Sequence, residues 1–108
     1  MPASRASDSL PSPFLVAVAE RVLLSDGAMG TALRERGVPD DDCLEKANID
    51  RPALVRQLHR EYIAAGADLI QTNTFGANRF RLARHGLEAR TREINLAAAK
   101  AAGTAKPT

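Results

Sequence analysis

An apolar run that empties into an acidic residue and two glycines constrains this chain more than any other stretch: Val22-Leu23-Leu24-Ser25-Asp26-Gly27-Ala28-Met29-Gly30-Thr31. Uninterrupted apolar residues of this length suit a strand buried on both faces of a parallel sheet. A glycine directly after the acidic residue lets the backbone turn sharply or come close to a ligand. Ligand sites in α/β folds gather at the carboxyl ends of such strands. The pattern therefore predicts strand one at Val22–Ser25, ending in a polar turn at Asp26. A strand-to-helix turn with Asp26 as a local cap is the plainer reading and stays open on these residues alone.

A second stretch narrows the choice. Residues Arg51 to Ala65 place Leu54, Val55, Leu58, Tyr62 and Ala65 on one stripe, with Arg56, Arg60 and Glu61 outward. That spacing predicts an amphipathic helix with Asp50 as N-cap, Pro52 in the first turn and Gly66 as the stop. His59 falls at the edge of the stripe and reads as a partly buried packing residue, since no second metal-type residue lies at helical spacing from it. Strand two follows at Ala67–Thr74, apolar at first and then polar through Thr72, Asn73 and Thr74. Strand, crossover helix and strand make a βαβ unit whose two strand ends lie side by side. Asp26 and the Thr72–Thr74 segment are thus expected to flank one pocket.

The rest of the chain frames this unit. Residues 1–13, rich in Ser, Pro and Ala, read as a disordered lead-in, with one domain over 14–108. Phe14–Arg21 suits a short helix, as does Thr31–Arg36 before Gly37 and Pro39. Asp40-Asp41-Asp42-Cys43 reads as a polar, solvated loop. A basic helical turn is expected over Asn78–Arg84. A last helix is expected from Ala89 to Ala102, ended by Gly103, with a tail over Thr104–Thr108. The whole chain has 108 residues, 44% of them hydrophobic, enough for one small core. Its single cysteine, Cys43, excludes an internal disulfide and fits a reducing, cytoplasmic setting. No apolar run reaches the roughly 20 residues of a membrane span. A net charge of +2 is too small to argue for a polyanionic partner.

Taken in order, LLSDGAMGT, then CLEKANIDRP, then LVRQLHREYIAAGADLIQTNTFGANRFRL, the chain resembles the start of the homocysteine S-methyltransferase family. The match runs from about Phe14 to Ala102. The resemblance implies an α/β fold, the N-terminal part of a (β/α)8 TIM barrel, here with two parallel strands and their helices. It implies methylation of homocysteine to methionine, with homocysteine and a methyl donor as substrates and zinc as cofactor. In the family zinc holds the substrate sulfur as the nucleophilic thiolate, on three cysteines late in the barrel. Those cysteines are not in this chain, and Cys43 occupies the family's Cys-x-Glu position, which is not a zinc ligand. A barrel of this type needs roughly 250 residues. The chain is accordingly expected to be an incomplete portion of the enzyme, inactive alone, with a further C-terminal domain as an expected partner in the natural protein.

What this portion would contribute is recognition of the amino-acid end of homocysteine. Asp26 offers an acceptor for the ammonium, and backbone N–H groups around Gly27, Ala28 and Met29 offer donors for the carboxylate. Thr72, Asn73 and Thr74 would line the adjacent wall. Met29 suits packing equally well, and Glu45 and Asn48 read as structural residues that fix their loop. Two other readings stand beside this one. The first is a non-catalytic truncated or degenerate barrel fragment. The second is a nucleic-acid-binding module using Arg79, Arg81, Arg84, Arg90 and Arg92, weakened by the scatter of these arginines and the presence of only Phe80 among them.

Overall fold

The computed structural model describes residues 12–105. Six α-helices follow one another: α1 Pro13–Glu20, α2 Gly30–Glu35, α3 Ala47–Asp50, α4 Pro52–Ala64, α5 Arg79–Leu82 and α6 Thr91–Ala105. Short 3-10 turns at Leu44–Lys46, Ala83–His85 and Glu88–Arg90 join several of them. Residues 1–11 of the expected lead-in and 106–108 of the expected Thr104–Thr108 tail lie outside the described residues. Within them, Ser12 caps α1, Pro13 opens it, and Thr104 and Ala105 belong to α6. The Ser12 hydroxyl accepts from the N–H groups of Phe14 and Leu15, capping the helix as serine commonly does.

Helix α4 is the spine of the structure. Pro52 occupies its first turn, where the missing N–H is not needed, and Gly66 at φ +113° ends it in the left-handed region that favours glycine. Arg51, and not Asp50, stands at the N-cap; Asp50 closes α3 instead and pairs with Lys46 at 3.4 Å. Val55, Leu58 and His59 are the buried residues of α4. Val55 and Leu58 form a core with Leu33, Val38, Ala47 and Ala101, drawing together α2, α3, α4 and α6. A second cluster, Cys43, Ala77, Leu82 and Ile94, packs beneath α5 and the start of α6. Helix α6 continues through Gly103 to Ala105, so that glycine does not end it. Its apolar face at Ile94, Ala98, Ala101 and Ala105 continues the stripe, and this burial outweighs the local preference of one glycine.

The expected pair of parallel strands, and with it the α/β (β/α)8 barrel portion, is overturned. Among the described residues there is no strand, only one isolated parallel bridge between Ser25 and Leu69. The two extended segments do run side by side. Leu69 N–H donates to Leu24 C=O at 3.0 Å, and Asp26 N–H donates to Leu69 C=O at 2.9 Å. Those are the two bonds of a single parallel rung. The donors that would extend the ladder are diverted to aspartate side chains. Leu24 N–H donates to Asp68 Oδ2 at 2.9 Å, and Gln71 N–H donates to Asp26 Oδ2 at 3.1 Å. Charge-assisted bonds of this kind are stronger than neutral amide–carbonyl bonds, so each carboxylate stops the pairing on its side.

Candidate functional site

The bridge brings the two expected wall segments together. Asp26, half-buried, ends the first extended segment with its carboxylate on Gln71 N–H and its Oδ1 3.3 Å from the Ser25 hydroxyl. A carboxylate has about four acceptor positions, so these two bonds leave capacity on Asp26. The chain then turns through Gly27 and Ala28 to Met29, which precedes α2. Tyr62 of α4 lies directly against this turn. Its hydroxyl donates to the Ala28 carbonyl at 2.8 Å, and a side chain added at Gly27 would come within 3.0 Å of that hydroxyl oxygen. A methyl group at 27 would therefore press on the Tyr62 side chain and make it give way. Among the described residues, the N–H groups of Gly27, Ala28 and Met29 have no backbone or side-chain acceptor. Met29 packs its side chain against the Leu33 core.

The second wall divides into outward and inward groups. Thr72 is exposed and Thr74 half-buried, and their hydroxyls share a hydrogen bond of 2.8 Å. Asn73 turns the other way. It is buried, donating to Leu44 C=O at 3.0 Å and to Asn48 Oδ1 at 3.1 Å, while Asn48 donates back to the Asn73 carbonyl at 2.8 Å. A tight bend accompanies the split, with Thr74 N–H donating to Thr72 C=O at 2.9 Å across Asn73. Thr72 and Thr74 thus bond to each other away from the core, and Asn73 serves the interior. Glu45 accepts from Gly76 N–H at 2.9 Å, and with Asn48 it fastens the 43–48 loop to the end of the second segment.

His59 is more deeply buried than the sequence pattern indicated. It is fully buried and not an edge residue, and neither ring nitrogen has a hydrogen-bond partner among the described residues. Burial pushes its imidazole below the usual histidine range, and the Asp26 carboxylate partly opposes that shift. A helical-wheel reading treats histidine as amphipathic and cannot see which neighbours close over it.

The residues present do not fit the zinc that the resemblance implies. Among the described residues no group of three His, Cys, Asp or Glu side chains is placed to hold a metal ion. Cys43 is buried beneath the 43–48 loop with its thiol 3.5 Å from Glu45 Oε1. Burial pushes that thiol above its usual range, away from the thiolate that metal ligation needs. The arginines near the C-terminal half do not form a shared platform either: Arg79 lies over Phe80 and Arg81 over Phe75, each on its own ring. No helix among the described residues is long and apolar enough to cross a membrane.

Comparison with known proteins gives this arrangement its setting. The sequence profile of the homocysteine S-methyltransferase family matches residues 23–108. Methionine synthases of Mycobacterium leprae and Mycobacterium tuberculosis are 39% and 38% identical to the chain over 76% of its length. The chain spans only 7% of the length of each. Among solved structures, the homocysteine methyltransferase MmuM from Escherichia coli superposes with a TM-score of 0.76 in its oxidized form and 0.75 in its metallated form, at 31% and 30% identity. These superpositions take in 88% and 87% of the chain and 34% of the MmuM chain. The family profile covers most of the chain and includes the Asp26–Met29 turn, its tyrosine buttress and the Thr72–Thr74 wall; the chain belongs to the homocysteine S-methyltransferase family.

Proposed function

We propose that this chain supplies the amino-acid recognition half of a homocysteine-binding site, for transfer of a methyl group to homocysteine to give methionine. One observation carries the reading. The Asp26–Met29 turn sets a carboxylate with spare acceptor capacity beside three consecutive N–H groups that have no acceptor among the described residues. A zwitterionic amino acid needs that combination: an anion for its ammonium, and oriented donors for its carboxylate. In this reading Thr72 and Thr74, whose hydroxyls bond to each other, line the adjacent wall, just past the Gln71 N–H that bonds Asp26. Asn73 takes a supporting role in this reading, because its amide is committed to Leu44 and Asn48.

Activation of the sulfur belongs to zinc in the family, and the described residues of this chain contribute no ligands to it. Their part is to bind, orient and exclude. The ammonium and carboxylate are fixed at the Asp26–Met29 turn, which leaves the thiol end of the substrate directed away from that turn. Holding the nucleophile in one orientation is itself a large fraction of what such a site supplies to a transfer reaction. The methyl donor is chosen outside this turn.

The test is direct. L-homocysteine added to the isotope-labelled chain should perturb the amide signals of Gly27, Ala28 and Met29, with a weaker effect from 4-mercaptobutyrate, which lacks the ammonium. Asp26→Asn should reduce affinity by about tenfold or more, the loss of one charge-assisted bond of roughly 1.5–3 kcal/mol. Equal perturbation by both compounds would remove Asp26 from the ammonium role. No perturbation by either would favour the non-catalytic reading of this chain.

A further inference from the structure

A cavity of about 260 Å³ opens between the loop after α2 and the α5 region, room for about eight waters or one small molecule. Asp41 and Asp42 line it from the loop, and Arg81 and Arg84 line it from α5 and the 3-10 turn that follows. Among the described residues none of these four side chains enters an ion pair. The loop is held in place by other groups. Arg34 of α2 donates to the carbonyls of Pro39 and Asp42, and Glu45 accepts from Gly76 N–H at 2.9 Å. Those bonds leave the Asp41 and Asp42 carboxylates unclaimed. On the basic side, Arg81 lies over the exposed Phe75 ring, 5.3 Å from its centroid. An aromatic face steadies a guanidinium without using its N–H groups, which remain as donors for an anion.

We infer that this cavity binds a small dipolar ion, its cationic end toward Asp41 and Asp42 and its anionic end on Arg81 and Arg84. Two carboxylates and two guanidiniums around one cavity, none of them paired, favour an occupant that carries both charges. A simple anion would meet the aspartates, and a simple cation would meet the arginines. The two sides stand further apart than an ion pair, so charges separated by several bonds suit them. That describes a short ω-amino acid. In an α-amino acid both charges sit on one carbon and engage one side at a time. The cavity shares no residue with the Asp26–Met29 turn or the Thr72–Thr74 wall, so the inference does not rest on homocysteine binding there. Its occupant would brace the same loop that Glu45 fastens to Gly76.

The test is ligand-observed saturation-transfer NMR on the full 108-residue chain, with 4-aminobutyrate as the probe and butyrate and butylamine as its single-charge controls. The probe should receive saturation and bind about fivefold more tightly than either control, the worth of one exposed ion pair. Asp41→Asn and Arg84→Gln, both at exposed positions, should each bring its affinity down to that of a control. Added salt should weaken it, as it screens exposed charges. Excess L-homocysteine should leave the probe bound. No saturation of the probe overturns the inference, and so does butyrate or butylamine binding as tightly as 4-aminobutyrate. Affinity unchanged in both variants places the ligand elsewhere and overturns it too. Displacement of the probe by homocysteine would merge the two sites and overturn the inference of a separate one. Binding of the probe with the expected losses, beside no perturbation of Gly27–Met29 by homocysteine, would sustain this cavity and sink the homocysteine reading of the turn.

Discussion

Single side chains in this protein divide between those that hold the loops and those that face outward, and substitutions should sort accordingly. Asn73 and Asn48 exchange hydrogen bonds in the interior, each also reaching a backbone carbonyl, of Leu44 and Ile94 respectively. Asn73→Ala leaves the buried Asn48 Oδ1 without its donor and Leu44 C=O with only the Ala47 N–H. It should destabilise the chain by about 2 kcal/mol, the cost of an orphaned buried acceptor, as read by urea denaturation. Thr72→Ala, at an exposed position, should change stability far less and act on ligand affinity instead. Gly27 and Tyr62 form a tighter pair. Gly27→Ala drives a methyl group against the Tyr62 hydroxyl, so it should displace the ring and break the bond to Ala28. Tyr62→Phe removes both that bond, at about 1 kcal/mol, and the atom nearest the added methyl. The double variant should therefore be less destabilised than the sum of the two singles, and a denaturation cycle with additive values would show that the contact is not what constrains Gly27.

At the scale of elements, the informative feature is a ladder stopped at one rung. Two aspartates take the donors on either side of the Ser25–Leu69 bridge. Asp68 does so while pairing with Arg21 at 3.2 Å, and its carboxyl lies below the usual range, first through the Leu24 N–H bond and then through Arg21. Glu61 is likewise held low by Arg36, whose guanidinium grips it at 3.0 and 2.6 Å and ties the end of α2 to α4. Groups with depressed folded pKa values add stability that is present above their unfolded values and lost as the pH falls through the folded ones. Thermal stability should therefore decline on acidification below about pH 4, near the unfolded carboxylate values. Asp68→Asn should flatten that decline, and melting curves between pH 6 and 2.5 would show it. A variant that keeps the full acid sensitivity would place the linkage elsewhere.

Over the whole molecule, apolar surface is unevenly covered. Helix α1 has no buried residue, and Phe14, Leu15 and Val18 remain about half exposed. Val22 is 87% and Leu24 59% exposed, on backbone that pairs with a single neighbour. Extended, apolar and unpaired segments are templates for association. The isolated chain should therefore self-associate at micromolar concentration, and Leu24→Lys should reduce the association without touching the α4–α6 core. Light scattering across a dilution series would check this; a monomer throughout the series would count against it.

Much of this was readable in the residues. The α4 stripe, the proline at its start, the glycine at its end and the side-by-side run of the segments holding Ser25 and Leu69 follow from periodicity and turn chemistry. Those are local properties, carried by residues a few positions apart. Motif order alone was enough to recognise the family. The sequence pattern also favoured two strands, because apolar runs prefer extended backbone. It had no means of showing that Asp68 and Asp26 would take the donors that continue the pairing, since each acts on a residue more than forty positions away. The inward turn of Asn73, the burial of His59 and the run of α6 through Gly103 were decided the same way. Each depends on which distant surface packs over the residue, and only the tertiary structure fixes that.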